Sequence, residues 1–218
     1  GARNVAIGNA ALSTMNPVSS TDTYNVAIGY DAGAAVTTGT KNTIIGGLAG
    51  DALTTGFQNV AMGYLALSTE DTGSKSIAIG TSALKTQNYD GDAYNVAVGH
   101  DAGKLVSTGT LNTIVGGFAG DALTIGNSNV AIGHQALTTE VAGDRSVAIG
   151  LNALRLQTNA STVDVYNIAI GYEAGAAVTT GADNTIIGGL AGDALTTGSN
   201  NVAIGKEALS TEDAHGSN

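Results

Sequence analysis

Two histidines are the first residues to consider for acid–base chemistry. His100 is followed by Asp101, and His134 lies in a comparable place further along the chain. A histidine oriented by a carboxylate can act as a general base, but it needs a nucleophile or a substrate group beside it. Tyr30 and Tyr172 replace His100 in related segments, and no serine or cysteine motif accompanies either histidine. We therefore interpret both as surface residues and predict that the protein is not an enzyme.

Oxygen ligands are the second chemical signal. Segment 88–92, Asn-Tyr-Asp-Gly-Asp, places them at alternate positions, as the start of a calcium loop does. No bidentate glutamate follows at the required distance, and the glycine-rich segment 46–50 lacks the Lys-Ser/Thr of a phosphate-binding loop. The absence of cysteine excludes thiolate chemistry and cysteine-based metal sites. We predict no cofactor and no metal.

These residues are carried by a stretch that occurs twelve times, in its commonest form Asn-Val-Ala-Ile-Gly. Successive copies start 21, 17, 17, 17, 19, 17, 17, 17, 21, 17 and 17 residues apart, so the basic unit has 17 residues. This period is too short for a helical hairpin repeat, and recurrent glycine and β-branched residues disfavour helix. We predict an all-β fold, a parallel β-roll (β-solenoid) of about twelve 17-residue coils in a single domain over 1–218. The copies start at Asn4, Asn25, Asn42, Asn59, Ser76, Asn95, Asn112, Asn129, Ser146, Asn167, Asn184 and Asn201.

Three columns of the repeat have a structural interpretation, if positions are numbered from the first residue of each coil. Position 5 is glycine in all twelve coils, which predicts a bend with positive φ or a close backbone approach, and a frequent glycine at position 15 predicts a second corner. Position 8 is alanine in all twelve, which indicates a narrow interior. Position 1 is asparagine in ten coils and serine in two, which predicts a ladder of stacked amides.

The apolar triplet at positions 2 to 4 predicts an assembly. In Val26, Ala27 and Ile28 all three side chains are apolar, although a strand directs alternate side chains to opposite faces. A thin roll has only one interior, so the second apolar face needs a cover, and the sequence offers no helix for it. We predict that other copies of the chain cover it in a homo-oligomer with a shared apolar axis. The sequence leaves open which of the two faces meets the neighbouring chain.

Composition narrows the function classes. The 218 residues carry a net charge of −10, from 18 acidic and 8 basic residues without a basic stripe, which argues against binding to nucleic acid. No segment resembles a signal peptide or a membrane span, so we predict no membrane insertion in this segment. At about 4.8 Å per coil, twelve coils predict a rod on the order of 55 Å long.

Coils of four kinds recur in a fixed order, which divides the chain into blocks of about 4–75, 76–145 and 146–217. Segments 24–56 and 166–198 are identical at 29 of 33 positions, which indicates duplication of a whole block. No block carries the distinct polar residues that a catalytic site would require.

Three insertions carry most of the sequence variety: loop 1 (13–24), loop 2 (85–94) and loop 3 (156–166). Each follows the same kind of coil and ends in a tyrosine, so we predict that all three leave the rod along one edge and that Tyr24, Tyr94 and Tyr166 hold them against it. Binding usually resides in surface loops on a rigid scaffold; the alternative is that the loops are tolerated duplications without a partner. The candidate receptor contacts are Asn16, Asp22, Tyr89, Asp90, Asp92, Asn159 and Asp164.

The motif Asn-Val-Ala-Ile-Gly-x-x-Ala, with its variants at Ser76 and Ser146, resembles the head repeat of trimeric autotransporter adhesins of the YadA type. It is also similar to the Asn-Thr-Ala-Ile-Gly-Tyr arrays of phage tail-fibre proteins. The resemblance covers essentially all 218 residues and implies a left-handed parallel β-roll assembled as a parallel homotrimer. The adhesin heads have a shorter repeat than the 17 residues found here, so the resemblance implies the fold and the trimer but no particular ligand.

We therefore expect a non-enzymatic fibre or adhesin head segment that mediates attachment to a host cell or surface through a rigid trimer with protruding loops. The expected location is extracellular, on a bacterial outer-membrane adhesin or a virion tail fibre, and the expected partner is a host-surface glycan or protein. The alternative is a monomeric β-solenoid that is structural or binds ice or carbohydrate. Repeated Thr-Thr-Gly in 37–39, 54–56 and 179–181 would then form a flat threonine face.

Overall fold

The structure is a computed structural model that describes residues 3–17 and 22–211. Within these ranges the regular elements are twelve strands of three residues each, and there is no helix. The strands are β1 Val5–Ile7, β2 Val26–Ile28, β3 Thr43–Ile45, β4 Val60–Met62, β5 Ile77–Ile79, β6 Val96–Val98, β7 Thr113–Val115, β8 Val130–Ile132, β9 Val147–Ile149, β10 Ile168–Ile170, β11 Thr185–Ile187 and β12 Val202–Ile204.

All twelve strands form one parallel sheet in sequence order, β1 to β12. Each strand pairs with the equivalent residues of the next coil, as Ala27 of β2 does with Ala6 of β1 and with Ile44 of β3. Because the turns between strands are also hydrogen-bonded from coil to coil, the chain is a β-solenoid of about twelve turns. The prediction of an all-β solenoid with one coil per repeat is confirmed.

The interior is filled by complementary side chains of successive coils. Position 3 is a buried alanine in most coils but a buried isoleucine in the third kind, as at Ile114. Glycine at position 9 of the coil before makes room for it: a Cβ on Gly103 would lie 2.8 Å from Ile114 Cδ1 and 3.1 Å from Leu84 Cδ2. The isoleucine of each coil of the third kind therefore packs where the coil before it has a glycine, which gives the dense packing of a protein core.

Left-handed backbone is more frequent than the sequence indicates. Gly29 and its equivalents have φ between +123° and +142°, which confirms the predicted bend at position 5. Among the described residues, thirty that are not glycine also have positive φ, from +47° to +62°, and they occupy positions 7 and 9 and the place immediately before the start of a coil. This conformation costs roughly 1 kcal/mol or more for an L-residue. Hydrogen bonds between coils offset it, as from Leu48 N–H to the Tyr30 carbonyl (2.8 Å) and from Lys41 N–H to the Thr23 carbonyl (2.7 Å).

Glycine at position 15 is required for a different reason. Gly39 does not have a positive φ, but a Cβ on it would lie 2.6 Å from the carbonyl oxygen of Gly56 in the next coil. The second corner is therefore a place where two coils approach closely and any side chain would collide with backbone.

The predicted asparagine ladder is present, and it is fully buried from Asn25 to Asn201. The backbone N–H of Asn42 donates to Asn25 Oδ1 (2.9 Å), and Asn25 Nδ2 donates to the Gly39 carbonyl (2.8 Å). Each amide thus joins one coil to the next and closes the turn of its own coil, which satisfies backbone groups that burial would otherwise leave unpaired.

The strands bury one face inside the chain and leave the other partly open. The middle residue of each strand from β2 to β12 is buried, whereas its two neighbours are half-buried or exposed. We call the residues at positions 2 and 4, the first and third of every strand, the outer stripe; apart from threonine in β3, β7 and β11, its members are apolar. In the single chain the second apolar face therefore lies on the outside, along the whole sheet.

Candidate functional site

Loops 2 and 3 are built on the same edge of the solenoid. Isolated parallel bridges join Ser74 to Asp92 and Asp144 to Asp164, one in each loop. The backbone of loop 2 is bonded on both sides, by Ser74 N–H to the Gly91 carbonyl (2.9 Å) and by Asn88 N–H to the Ser107 carbonyl (2.9 Å). Both loops therefore hold a defined conformation against the coils above and below them.

A buried glutamate lies beneath loop 2. Glu70 is fully buried, and its Oε1 accepts a hydrogen bond from Gly73 N–H (2.7 Å). Its Oε2 accepts hydrogen bonds from Gln87 Nε2 (3.0 Å) and Tyr89 N–H (3.3 Å). Burial raises the pKa of the Glu70 carboxyl, and the hydrogen bonds from Gln87, Gly73 and Tyr89 oppose that rise. The side chain thus joins coil 4 to loop 2 from inside the rod.

Glu140 has the same place beneath loop 3 and more donors. Its Oε1 accepts from the backbone N–H groups of Val141 (2.9 Å), Ala142 (3.1 Å) and Gly143 (2.8 Å) and from that of Asn159 (3.0 Å). Its Oε2 accepts from Gln157 Nε2 (2.8 Å) and from the Asn159 side-chain Nδ2 (2.9 Å). The proposed contact residue Asn159 therefore points inward and holds the loop to the rod.

Glutamine continues both networks into the asparagine ladder. Gln87 Nε2 donates to Ser76 Oγ (2.8 Å), and Asn95 Nδ2 donates to Gln87 Oε1 (2.9 Å). Sequence reasoning missed this network, although a signal exists. Where serine replaces the ladder asparagine, at Ser76 and Ser146, position 12 of the coil before it is a buried glutamate and position 12 of the serine coil itself is glutamine.

Three surface groups, which we call loop clamps, fix the end of each loop. In the second clamp Lys75 Nζ lies 2.6 Å from Asp92 Oδ2, donates to Tyr94 OH (2.9 Å) and stands 5.0 Å from the centre of the tyrosine ring. In the first and third clamps an arginine replaces the lysine. The clamps are Arg3, Asp22 and Tyr24; Lys75, Asp92 and Tyr94; and Arg145, Asp164 and Tyr166.

The structure thus gives the three clamp tyrosines the predicted role of holding the loops against the rod. It also gives a structural role to three proposed contact residues, Asp22, Asp92 and Asp164, because each carboxylate is paired with a basic residue. Asn16, in contrast, has an exposed side chain, while its backbone N–H donates to the Thr37 carbonyl (3.1 Å). Residues 18–21 of the same loop lie outside the described part of the chain.

Tyr89 and Asp90, the two remaining candidates, line a cleft. The cleft is shallow and open to solvent, has a volume of about 430 Å³ and is lined by Asp71, Asn88, Tyr89, Asp90 and Thr108. We call it the loop 2 cleft. It lies between the end of coil 4, the tip of loop 2 and the corresponding turn of coil 6, so residues from three successive coils meet there.

Both carboxylates of the loop 2 cleft are held in place. Thr72 Oγ1 donates to Asp90 Oδ1 (2.7 Å), and the backbone N–H of Thr72 donates to Asp71 Oδ1 (2.8 Å). Lys75 holds Asp92 elsewhere, so Asp90 and Asp92 do not share one site as a calcium loop would require. Among the described residues no group of three or more His, Cys, Asp or Glu side chains could hold a metal ion.

The two histidines belong to a separate surface ridge. The ring of Phe118 lies between them, 5.2 Å from His100 and 5.9 Å from His134. His100 Nδ1 is 3.8 Å from Asp101 Oδ2, but that carboxylate is already paired with Lys104 Nζ at 3.0 Å. Asp101 is therefore shared between Lys104 and His100 and does not serve the histidine alone.

No protein-family model, no curated protein and no solved structure matches this chain. Across the described ranges, no helix has the length and apolar character needed to span a membrane.

Proposed function

We propose that this chain is a segment of a non-enzymatic trimeric fibre, of the adhesin or tail-fibre type, that mediates attachment to a host cell or surface. The proposed location is extracellular, on a bacterial surface or a virion. The observation that carries the proposal is the outer stripe, a row of mostly apolar side chains along the whole outer face of the sheet. Such a continuous apolar surface is typical of an interface.

The exposure of the stripe supports an assembly that extends over the whole rod. Ile168 and Ile170 of β10 are 38% and 37% exposed, and the stripe residues of β2 are half-buried. Burying the remaining exposed area of one stripe side chain would stabilise an assembly by on the order of 1 kcal/mol. Repeated over the twelve strands, this gain favours parallel association of identical chains in register. A left-handed coil in each of three parallel chains is the arrangement that the repeat motif implies.

Three copies of each loop on one rod provide a reason for the trimer. A rigid rod would present equivalent loops at fixed spacing, so weak contacts at each loop add up to a much tighter attachment. The buried glutamates and the clamps support this role, because they fix loop conformation before any partner arrives and reduce the entropic cost of binding.

Light scattering tests the assembly. We expect the protein to have a mass of three times 21.4 kDa and the double variant Ile28→Asp, Ile170→Asp to lose association, because two carboxylates from every chain would enter an apolar interface. The matched control is Leu105→Asp, Val163→Asp, since both residues are exposed apolar side chains outside the stripe, at 44% and 43%. A folded monomer for the unmodified protein would refute the trimer.

Attachment is tested separately, by retention of labelled protein on a panel of bacterial and animal cells. We expect the trimer to be retained on at least one cell type and the stripe variant to be retained about 100-fold less, through lost avidity. The absence of retention on every surface would refute the attachment function.

The monomeric alternative remains the competing proposal, and one observation bears on its ice-binding form. Thr54 Oγ1 donates to the Asp71 carbonyl (2.9 Å) and Thr179 Oγ1 to the Thr196 carbonyl (3.2 Å). The threonine hydroxyls at position 13 are thus used between coils, which leaves only the exposed threonines at position 14 for a flat face.

A further inference from the structure

We propose that the loop 2 cleft binds a neutral sugar residue, which makes a neutral glycan the ligand of the attachment function proposed above, on which this inference rests. The cleft volume of about 430 Å³ is in the range of small-molecule sites. It combines one aromatic ring with carboxylate, amide and hydroxyl groups. This is the chemistry that a pyranose needs, because a sugar presents an apolar face of C–H groups and a rim of hydroxyls.

The polar groups of the cleft are available to a ligand. Within the described ranges, no residue hydrogen-bonds to the side chains of Asn88 and Thr108 or to the hydroxyl of Tyr89. The carboxylates of Asp71 and Asp90 each have one oxygen occupied by Thr72, which orients the second oxygen. Hydrogen bonds from sugar hydroxyls to an ionised carboxylate are charge-assisted and stronger than neutral ones.

The tyrosine ring is positioned by a glycine. A Cβ on Gly91 would lie 3.0 Å from Tyr89 Cε1, so the ring packs directly against the Gly91 backbone. Tyr89 is 36% exposed as a residue, and its backbone N–H donates to the buried Glu70. Tyr89 is therefore a rigid aromatic surface at the cleft, able to contact the apolar face of a sugar at little entropic cost.

Charge selects a neutral ligand over an acidic one. The cleft holds two carboxylates and no basic side chain among its lining residues, and the chain carries a net charge of −10. A sialic acid or a sulfated sugar would place its anion next to Asp71 and Asp90, where like charges repel. A neutral hexose or N-acetylhexosamine carries only hydroxyl and amide groups, which can donate hydrogen bonds to these carboxylates without repulsion.

Of loops 2 and 3, only loop 2 has the residues of this site. The residue two places after the buried glutamine is Tyr89 in loop 2 but Asn159 in loop 3, where its side chain turns inward to Glu140. Loop 3 thus has neither the aromatic surface nor the free amide of loop 2. The loop 2 cleft thus occurs once in each chain and would occur three times in the proposed trimer.

A glycan array that carries neutral and acidic oligosaccharides tests the proposal with the intact protein. We expect binding to a subset of neutral glycans, and at least tenfold weaker binding for Tyr89→Ala. Tyr64→Ala is the matched control, because Tyr64 is 54% exposed but does not line the cleft. Asp90→Asn can keep the Thr72 hydrogen bond while removing the charge, so we expect weaker neutral binding and less discrimination against acidic glycans.

Three outcomes would overturn the proposal: no binding to any glycan on the array, a preference for acidic glycans, or neutral binding that Tyr89→Ala leaves intact. Hydrogen exchange of the loop 2 peptide in each variant shows whether the loop has kept its conformation. Retention on cells distinguishes a failure of the glycan site from a failure of the attachment function. If Tyr89→Ala is retained on cells like the unmodified protein, attachment stands and the cleft is not its site, whereas a protein retained nowhere refutes the attachment function itself.

Discussion

Loops 2 and 3 share a buried hydrogen-bond network beneath them but present different surfaces to solvent. In both, a fully buried glutamate, a glutamine and a serine connect the asparagine ladder to the loop. In loop 3 the side chain of Asn159 turns inward and adds a donor to Glu140, while in loop 2 the equivalent Tyr89 contributes only its backbone N–H and exposes its ring. The residue at this one place in each loop therefore either completes the interior, as Asn159 does, or lines a cleft, as Tyr89 does.

The largest expected effect on stability comes from removing the buried glutamates beneath the loops. Glu140→Ala would leave four backbone N–H groups and two side-chain amides without their acceptor, so we expect local destabilisation of about 3 kcal/mol or more. Glu70→Ala removes fewer hydrogen bonds and should cost less. Hydrogen exchange of residues 141–159 measures the effect, because repeat proteins can open locally. Equal costs for the two variants would contradict the difference in donor number.

Exchanging the two distinguishing residues tests the comparison directly. We expect Asn159→Tyr to destabilise loop 3 by about 1–2 kcal/mol, because Glu140 loses an amide donor and the larger ring does not fit where the Asn159 side chain lies. Tyr89→Asn should leave loop 2 as stable as before or slightly more stable, because the new amide can reach Glu70, and it should abolish glycan binding. Denaturant midpoints for the two single variants decide this. A clear destabilisation by Tyr89→Asn would show that the ring is structural.

The pKa of Glu70 predicts a pH effect. Because burial raises the pKa of this carboxyl in the folded chain, its contribution to stability is complete below the ordinary carboxyl range and decreases as the pH rises through the raised value. As the pH rises above the ordinary carboxyl pKa of about 4, the free energy of unfolding should therefore fall, and less steeply in Glu70→Gln. Burial raises the pKa of Asp51 as well, so part of the slope should remain. An unchanged slope in Glu70→Gln would refute the assignment.

The loop clamps should have the smallest effect. Their ions are partly exposed, with side-chain exposures of 30% and 38% for Lys75 and Asp92, so water and salt screen the pair. We expect Asp92→Asn and Asp164→Asn each to cost less than about 1 kcal/mol, measured by thermal unfolding at low salt, and less again at high salt. A large, salt-independent loss would mean that the clamps, not the buried glutamates, hold the loops.

Sequence reasoning predicted the scaffold, whereas it gave no information on the internal partners of the loop residues. The strand, the glycine bend at position 5 and the asparagine ladder were predicted because each appears once per coil and contacts its own copy in the next coil. The seven candidate loop residues were chosen for type and location alone. Asn159 and the three clamp aspartates have structural partners 17 to 19 residues away or across a loop, and no column of the repeat shows such pairings.

The sequence by itself determined the period, the parallel sheet and its register, since a stack of near-identical coils satisfies backbone hydrogen bonds only when equivalent residues pair. The tertiary structure alone decided which triplet face lies outside, how Lys41 and Leu48 come to have left-handed backbone, and which loop side chains are free. These features depend on contacts between different kinds of coil. The packing of side-chain volume and the pairing of polar groups inside the rod therefore determine these features, which the periodicity of the sequence alone does not.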